Sequence, residues 1–352
     1  MEHSAGENAR IPRSVDRPST DEFFALLKRD GLITREDAKL TALTDGVSSE
    51  IYRVDDGADS FVVKRALPKL KVKDHWTANV DRTRYERMFI EYVAGFAPAA
   101  VPRLRTTPHD RGYFAMELLG DDFVNWKKLL LRGDTRAEPA ERAAQILAAI
   151  HAHSAGDAEV ATRFDTTENF LQLRIEPYLL TTGRRHPKLK SRFDTEAERL
   201  AATRQCLVHG DFSPKNMMIS LERFVLLDCE VAWYGDPAFD VAFLLTHLLL
   251  KALLYAPEKI GLDEMSDAFW KRYAGEASGA IDCVALEPRI ARLLPMLLLA
   301  RVDGKSPVEY LNESRREWVR RFTGMEILRQ ARALGALFDR WFAGLREFKP
   351  PA

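Results

Sequence analysis

Asp211 and Asn216 stand five positions apart in LVHGDFSPKNMMIS, residues 207 to 220, and Asp228 closes the apolar run RFVLL twelve residues after the Asn. A loop carboxylate, an amide soon after it and a second carboxylate ending the next strand are the parts needed to set a base beside a hydroxyl and to hold Mg2+ on a triphosphate. Magnesium prefers a few hard oxygen ligands and keeps several waters. Asn216 and Asp228 offer such oxygens, and Glu230, two positions on, faces the same side if the strand continues. HGD alone is most often a turn. Joined to Asn216 and Asp228, it points to phosphoryl transfer, with Asp211 as the catalytic carboxylate.

These residues need two kinds of scaffold, and the chain supplies two kinds of pattern. Residues 1 to 18 are polar, with Pro12 and Pro18, and are expected to form a flexible tail. An N-terminal lobe is expected over 19–120. It opens with a short helix in DEFFALLKRD, followed from 39 to 66 by strand periodicity in KLTAL, EIYRVDD and SFVVKRAL, with turn signals at Asp45-Gly46 and Asp56-Gly57. DRTRYERMFIEYVAGF then carries Tyr85, Met88, Phe89, Tyr92, Val93 and Phe96 at helical spacing. Glu86 borders that stripe and can point inward, whereas Glu91 has helical neighbours on the polar face. Extended pieces at 102–106 and 112–119 complete an expected lobe of about five strands and one helix. From 121 to 352 the pattern is mainly helical, except for a β-like island at 206–230 that contains the chemical residues. The fold class read from this is α+β in two lobes.

Composition sets the outer limits. The 352 residues include 52 Lys+Arg and 52 Asp+Glu, a balance with no electrostatic footprint for nucleic acid or an anionic membrane. Cys206, Cys229 and Cys283 lack CxxC spacing, which argues against a disulfide framework or zinc site. Cys229 reads as a small buried residue. The first twenty residues lack the apolar core of a signal peptide. The greasiest stretch, 241 to 256, is shorter than the roughly 20 residues of a bilayer span and contains His247 and Lys251. A cytoplasmic protein is the expectation, and a homodimer is compatible with it.

HGDxxxxN at 209–216 and the DCE of VLLDCEVAWYGDPAFDVAFLL resemble the motifs of the aminoglycoside phosphotransferase and choline kinase-like superfamily. Within it, SFVVKRALPKLKV, Trp76 with DRTRYE at 81–86, and RRFTG at 320–324 are similar to methylthioribose kinases. The resemblance implies a bilobal protein-kinase-like fold, with a small antiparallel sheet lobe and a larger helical lobe, using ATP and Mg2+. It implies that Asp211 is the base or orienting group for the acceptor hydroxyl, that Asn216 and Asp228 are metal ligands, and that Glu230 is a further acid beside the metal. His209 is implied to be structural. Asp240 resembles an aspartate that receives loop amides, and its position also suits a helix cap.

On the nucleotide side, Lys64 sits in the third strand, where such kinases keep the lysine that reaches the α- and β-phosphates, with Glu86 as its partner. TDGVSSEIYRV has neither a Walker loop nor G-x-G-x-x-G, so phosphate contacts fall to Gly46, Ser48 and Ser49. Glu117, Leu118 and Leu119 lie where the lobes join and would offer backbone to adenine. Arg320 and Arg321 resemble the twin arginines near the transferred phosphate in methylthioribose kinases.

The expected partner is a small molecule with a hydroxyl, such as a sugar like methylthioribose. Trp233, Tyr234, Arg301 and Asp303 are candidates to wall or meet it, and Trp76 to lie on a loop over ATP or substrate. An aminoglycoside or choline-like amino alcohol would demand carboxylates, for which Asp263, Glu264, Asp267, Glu276, Asp282 and Glu287 are the candidates. Asn216 follows the general superfamily version of its loop, and Cys229 stands where methylthioribose kinases are expected to have proline. A non-catalytic nucleotide-binding scaffold is disfavoured by the joint presence of Lys64, Asp211, Asn216 and Asp228.

Overall fold

A computed structural model describes residues 19–43, 49–66, 82–109, 111–257 and 261–349. Helix α1 (Thr20–Arg29) starts on a capping box in which the Glu22 N–H donates to Ser19 Oγ and the Ser19 N–H donates to the Glu22 carboxylate. Strands β1 (Lys39–Leu43), β2 (Ser49–Asp56), β3 (Asp59–Ala66) and β4 (Tyr113–Glu117) form an antiparallel sheet in that order. The expected turn at Asp56-Gly57 is present, with Gly57 at φ 72°. Asp56 also ties this turn to the loop after α1, accepting the N–H groups of Thr34 and Arg35 at 2.9 and 3.0 Å.

Strand alternation sorts β3 between two partners. Phe61 and Val63 pack with Phe23 and Leu27 of α1, whereas Val62 faces the other core with Phe89, Ile90 and Val93 of helix α2 (Arg82–Ala94). Lys64 has the parity of Val62 and therefore faces α2. The expected fifth strand at 102–106 is not formed. Pro102 and Pro108 bracket that stretch and withhold donors, leaving one isolated bridge, Leu104 to Met116.

The second lobe begins with β5 (Val124–Asn125), α3 (Trp126–Leu130), α4 (Glu138–Ser154), α5 (Ala158–Arg163) and α6 (Thr167–Phe170). A π-type helical segment, Leu171–Leu180, runs on into α7 (Thr181–Arg185) and α8 (Lys190–Ala202). Pro177 lies inside the segment and has no N–H to give, and the Thr181 N–H reaches back five residues to the Glu176 carbonyl. The island yields three short strands, β6 (Cys206–Val208), β7 (Met217–Ile219) and β8 (Phe224–Leu226), and a fourth, β9 (Trp233–Gly235), follows just beyond it. They pair as β5-β7-β8 and β6-β9.

Helices α9 (Ala238–Tyr255), α10 (Leu262–Ala277), α11 (Cys283–Asp303), α12 (Glu313–Arg329) and α13 (Leu334–Arg346) complete the chain. The long helical segment expected over 307–343 is broken after α12, where Gln330 turns left-handed at φ 53°. By length and composition α9 is apolar enough to cross a membrane, but 89% of it is buried inside the protein, against α10 and α11.

Leu249 lies fully buried on α9, so Leu249→Ala is expected to cost about 2–5 kcal/mol of unfolding free energy in urea titrations. Leu221, fully exposed at the tip between β7 and β8, serves as the contrast: Leu221→Ser is expected to change stability by no more than about 0.5 kcal/mol.

Candidate active site

The register of β3 and the inward face of α2 bring Lys64 to Glu86. Its ammonium lies 2.8 Å from both carboxylate oxygens of Glu86 and 2.6 Å from Asp228 Oδ1, contributed by the other lobe. Glu91, the alternative partner, pairs instead with Arg87 at 2.9 Å and Arg163 at 3.5 Å. Lys64 and Glu86 are both almost fully buried. Burial would pull the Lys64 ammonium down, but Asp228, Glu86 and Glu230 outweigh it and push the group above its ordinary value. Burial pushes the Glu86 carboxyl up to about 7, with Lys64 opposing. Asp228 is lowered: burial raises it, and Lys64 and Lys215 more than compensate.

Asp228 sits at φ 63°, a left-handed backbone that aspartate adopts more readily than most residues. The preceding N–H, from Leu227, donates to the Asn216 carbonyl at 2.8 Å, fixing the two candidate metal ligands relative to one another. The Asn216 amide donates to the Asp211 carbonyl at 3.0 Å. That bond leaves the Asn216 Oδ1, like Asp228 Oδ2, without a partner among the described residues. These two free oxygens are hard donors of the kind a magnesium ion takes alongside its waters.

Glu230 is built into a strut between the lobes. Its Oε2 accepts from Arg82 Nε at 2.9 Å and from Ser49 Oγ at 3.4 Å, and its carbonyl accepts from Asn169 at 3.0 Å. Glu86, Asp228 and Glu230 each place an oxygen within 4.8 Å of the others. The cation already bound to two of them is the Lys64 ammonium, so a metal at Asp228 fits best on its Asn216 side.

Asp211 is held by two cations. Arg174, from the π-type segment, lies 3.1 Å from its carboxylate, and Lys215 lies 2.9 Å from it. Arg174 also donates to the Gly210 and Leu173 carbonyls, which fixes the guanidinium against the loop. Burial alone would push the Asp211 carboxyl up; Lys215 and Arg174 override it and hold the group well below the usual carboxylate range. Asp211 is therefore an ionised acceptor of hydrogen bonds and a weak proton trap.

The backbone of this loop hangs on Asp240, which is fully buried in the first turn of α9. Its carboxylate accepts the N–H groups of His209 and Gly210 at 2.7 and 3.0 Å, with His151 at 3.4 Å. Of its two expected roles, Asp240 plays the receiver of loop amides. The N-cap position is Pro237, and Asp236 just before it accepts the Ala238 N–H at 2.9 Å. Gly210 has φ 77°, and a Cβ there would come within 2.5 Å of the Val231 carbonyl, so glycine is required. His209 is structural: its Nδ1 accepts the Asp211 N–H at 3.1 Å, and burial lowers the imidazole from its ordinary value, keeping it neutral.

The remaining candidates are distributed as follows. Gly46, Ser48 and Trp76 lie outside the described residues, and Ser49 turns its hydroxyl to Glu230. Glu117 ends β4 and joins the lobes through Arg223, at 2.8 Å. Leu118 and Leu119 follow it half-buried, and no hydrogen bond among the described residues ties down their backbone. Arg320 is taken up by Asp303, Glu313 and Glu317, and Arg321 is exposed; neither is brought to Lys64, Asp211 or Asp228. Trp233 and Tyr234 are core residues, Trp233 stacking on Phe170 at 4.2 Å. Cys229 is buried, its thiol pushed up by burial.

Sequence reasoning missed Arg174 and Arg82. The one signal for Arg174 was a lone arginine inside the apolar run LQLRIEPYLL. Arg82 stood at the start of a stretch read as a helix and for its patch resemblance, with no role given to the arginine itself.

Comparison with known proteins gives the family and the fold. The model of the phosphotransferase enzyme family matches residues 39–280. A methylthioribose kinase of Exiguobacterium sibiricum is 25% identical over 73% of this chain and 73% of its own. A methylthioribose kinase of Pectobacterium atrosepticum is 21% identical over 66% of this chain, which spans just under two thirds (65%) of that protein. Among solved structures, a choline kinase from Cryptosporidium parvum Iowa II superposes with TM-score 0.54 at 11% identity, covering 94% of this chain and 99% of its own. An amicoumacin kinase in complex with AMP-PNP and Ca2+ superposes with TM-score 0.53 at 15% identity, covering 90% and 98%. At these identities the structures speak to the fold, which is the α+β kinase-like arrangement expected.

Removing the Asp240 carboxylate strands two buried loop amides, so Asp240→Ala is expected to cost about 2 kcal/mol or more in urea unfolding. Asp240→Asn, which keeps one acceptor oxygen, is expected to recover part of that loss.

Proposed function

The chain belongs to the phosphotransferase enzyme family and is a small-molecule kinase, and from that premise we propose that it transfers the γ-phosphoryl group of MgATP to a hydroxyl held against Asp211. The observation that carries the reading is the pairing of Asp211 with both Arg174 and Lys215, across from the Lys64, Glu86 and Asp228 cluster. Lys64 would meet the α- and β-phosphates once it is shared with nucleotide, and the free backbone at Leu118 and Leu119 would meet adenine. Asn216 and Asp228 would hold the metal, which supplies charge neutralisation on the phosphate oxygens. Gly46, Ser48 and Ser49 are kept as candidate phosphate contacts. Arg320 and Arg321 would have to leave their present surroundings to take part.

In the transfer, the acceptor oxygen forms a bond to phosphorus as the bond to ADP breaks, and the hydroxyl proton is released. A loose transition state asks little of a base. Asp211, held ionised, orients the hydroxyl through a hydrogen bond and receives the proton only as the new bond forms. Lys215, half-exposed beside it, adds positive charge where negative charge gathers.

A sugar hydroxyl is the acceptor class to begin from, with methylthioribose first because two relatives are named for it. An aminoglycoside or choline-like amino alcohol is less well supported. Four of the six carboxylates that would attract it are occupied elsewhere: Asp267 pairs with Lys271, Glu276 with Arg272, Asp282 caps α11, and Glu287 accepts the Leu334 N–H. A coupled ADP-release assay with MgATP across sugars, amino alcohols and aminoglycosides tests the reading. In that assay Asp211→Asn is expected to lower kcat by about 10²-fold or more while leaving the KM for ATP within a few-fold. Undiminished turnover in Asp211→Asn would remove Asp211 from the mechanism.

A further inference from the structure

The helical lobe holds a second set of charges that phosphoryl transfer leaves unused. Lys251, on α9, is only 1% exposed, yet its ammonium makes one hydrogen bond, to the His247 carbonyl at 3.3 Å, and lies over the Tyr310 ring at 5.2 Å. Among the described residues no carboxylate pairs with it. Burial pulls Lys251 down to about 7, and repulsion from Lys127 and Arg301 adds to the effect.

Arg301, on α11, likewise lacks a carboxylate among the described residues. Its Nη1 donates to the Tyr178 hydroxyl at 3.3 Å and to Ser306, while its Nε–H is buried without a partner. The Tyr310 hydroxyl and His247 Nε2 are also buried and unpartnered. Such orphans are few in folded proteins, and an unpaired buried charge is costly.

The set adjoins the catalytic carboxylate. Arg174, which pairs with Asp211, lies 5.9 Å from the rings of both Tyr178 and Phe243. Arg301 lies 5.9 Å from the same Tyr178 ring, and the Phe243 ring lies 5.2 Å from that of His247. The nearby carboxylates, Asp211 and Glu309, are already engaged, Glu309 by Lys127 at 2.5 Å. What the donors of Lys251, Arg301 and Tyr310 lack is an anion, and an ammonium-bearing acceptor would meet like charges there.

We propose that the acceptor carries an acidic group, a carboxylate or phosphate, received by Lys251, Arg301 and Tyr310 while its hydroxyl lies against Asp211. This rests on the kinase reading above but replaces its neutral first candidate, methylthioribose, with sugar acids, sugar phosphates or hydroxy acids.

The test is calorimetric titration of the protein saturated with AMP-PNP and Mg2+, so that added anions meet only the acceptor side. The probes are D-gluconate against D-glucose and glycerol 3-phosphate against glycerol, with methylthioribose and choline alongside. At least one anionic member is expected to bind about 10-fold or more tightly than its neutral counterpart, which of the two doing so separating carboxylate from phosphate. Lys251→Met and Tyr310→Phe are each expected to weaken that binding while leaving AMP-PNP affinity and the melting temperature no lower. Tyr310→Phe loses only an unpartnered hydroxyl, so it keeps the test open should Lys251→Met fail to fold. Binding of the neutral or cationic compounds in preference, binding of neither anion, or anion binding unchanged in both variants would overturn the proposal. Failure of AMP-PNP itself to bind would instead remove the kinase premise.

Discussion

One ammonium shared between two lobes organises this protein. Lys64 lies between Glu86 of its own lobe and Asp228 of the other, at 2.8 and 2.6 Å. Taking these charges out of water is expensive, and removing one member of such a group typically costs about 3–5 kcal/mol because the others are left uncompensated. The interaction makes demands on distant parts of the chain. It requires the parity of β3 that puts Lys64 on the α2 face, the inward turn of Glu86, and the left-handed backbone of Asp228. Arg82, Ser49 and Glu230 form a second tie across the same cleft, and Arg223 with Glu117 a third near the crossing of the chain.

The loop of Asp211, the proposed catalytic residue, answers a different constraint. Its backbone doubles back tightly enough to need Gly210, and the buried amides of that bend are satisfied by one buried carboxylate, Asp240. Because α9 carries Asp240 and is buried from Ala238 to Leu253, the loop is referenced to the core of the helical lobe. Arg174 and Lys215 then set its charge state. A carboxylate that stays ionised suits a reaction in which orientation outweighs proton abstraction.

The parts legible in the sequence were those encoded over short distances. Lys64 in an alternating strand, Glu86 beside a helical stripe, and the spacing of Asp211, Asn216 and Asp228 all stand where local pattern placed them. The parts not legible depend on pairings between remote residues or on backbone irregularity. Arg174 reaches Asp211 only because a π-type segment around Pro177 turns it inward. Glu230 meets Arg82 across 148 residues, which gives it a strut's work beside its expected role at the metal. Arg320 looked free to bind phosphate because its partner Asp303 belongs to another helix. The stretch 102–106 has the composition of a strand, but two prolines hold it to a single bridge. Lys251 and Tyr310 carried no pattern at all, since each matters only through what it fails to pair with.

The central claim is that nucleotide is held across the cleft by Lys64 from one side and by a metal on Asp228 from the other. Its most direct test is calorimetric titration of a non-hydrolysable ATP analogue, with and without Mg2+, into the wild type, Asp228→Asn and Lys64→Met. The account predicts that Mg2+ tightens binding to the wild type, that this dependence disappears in Asp228→Asn, and that Lys64→Met binds weakly with or without the ion. A magnesium dependence that survives intact in Asp228→Asn would contradict it.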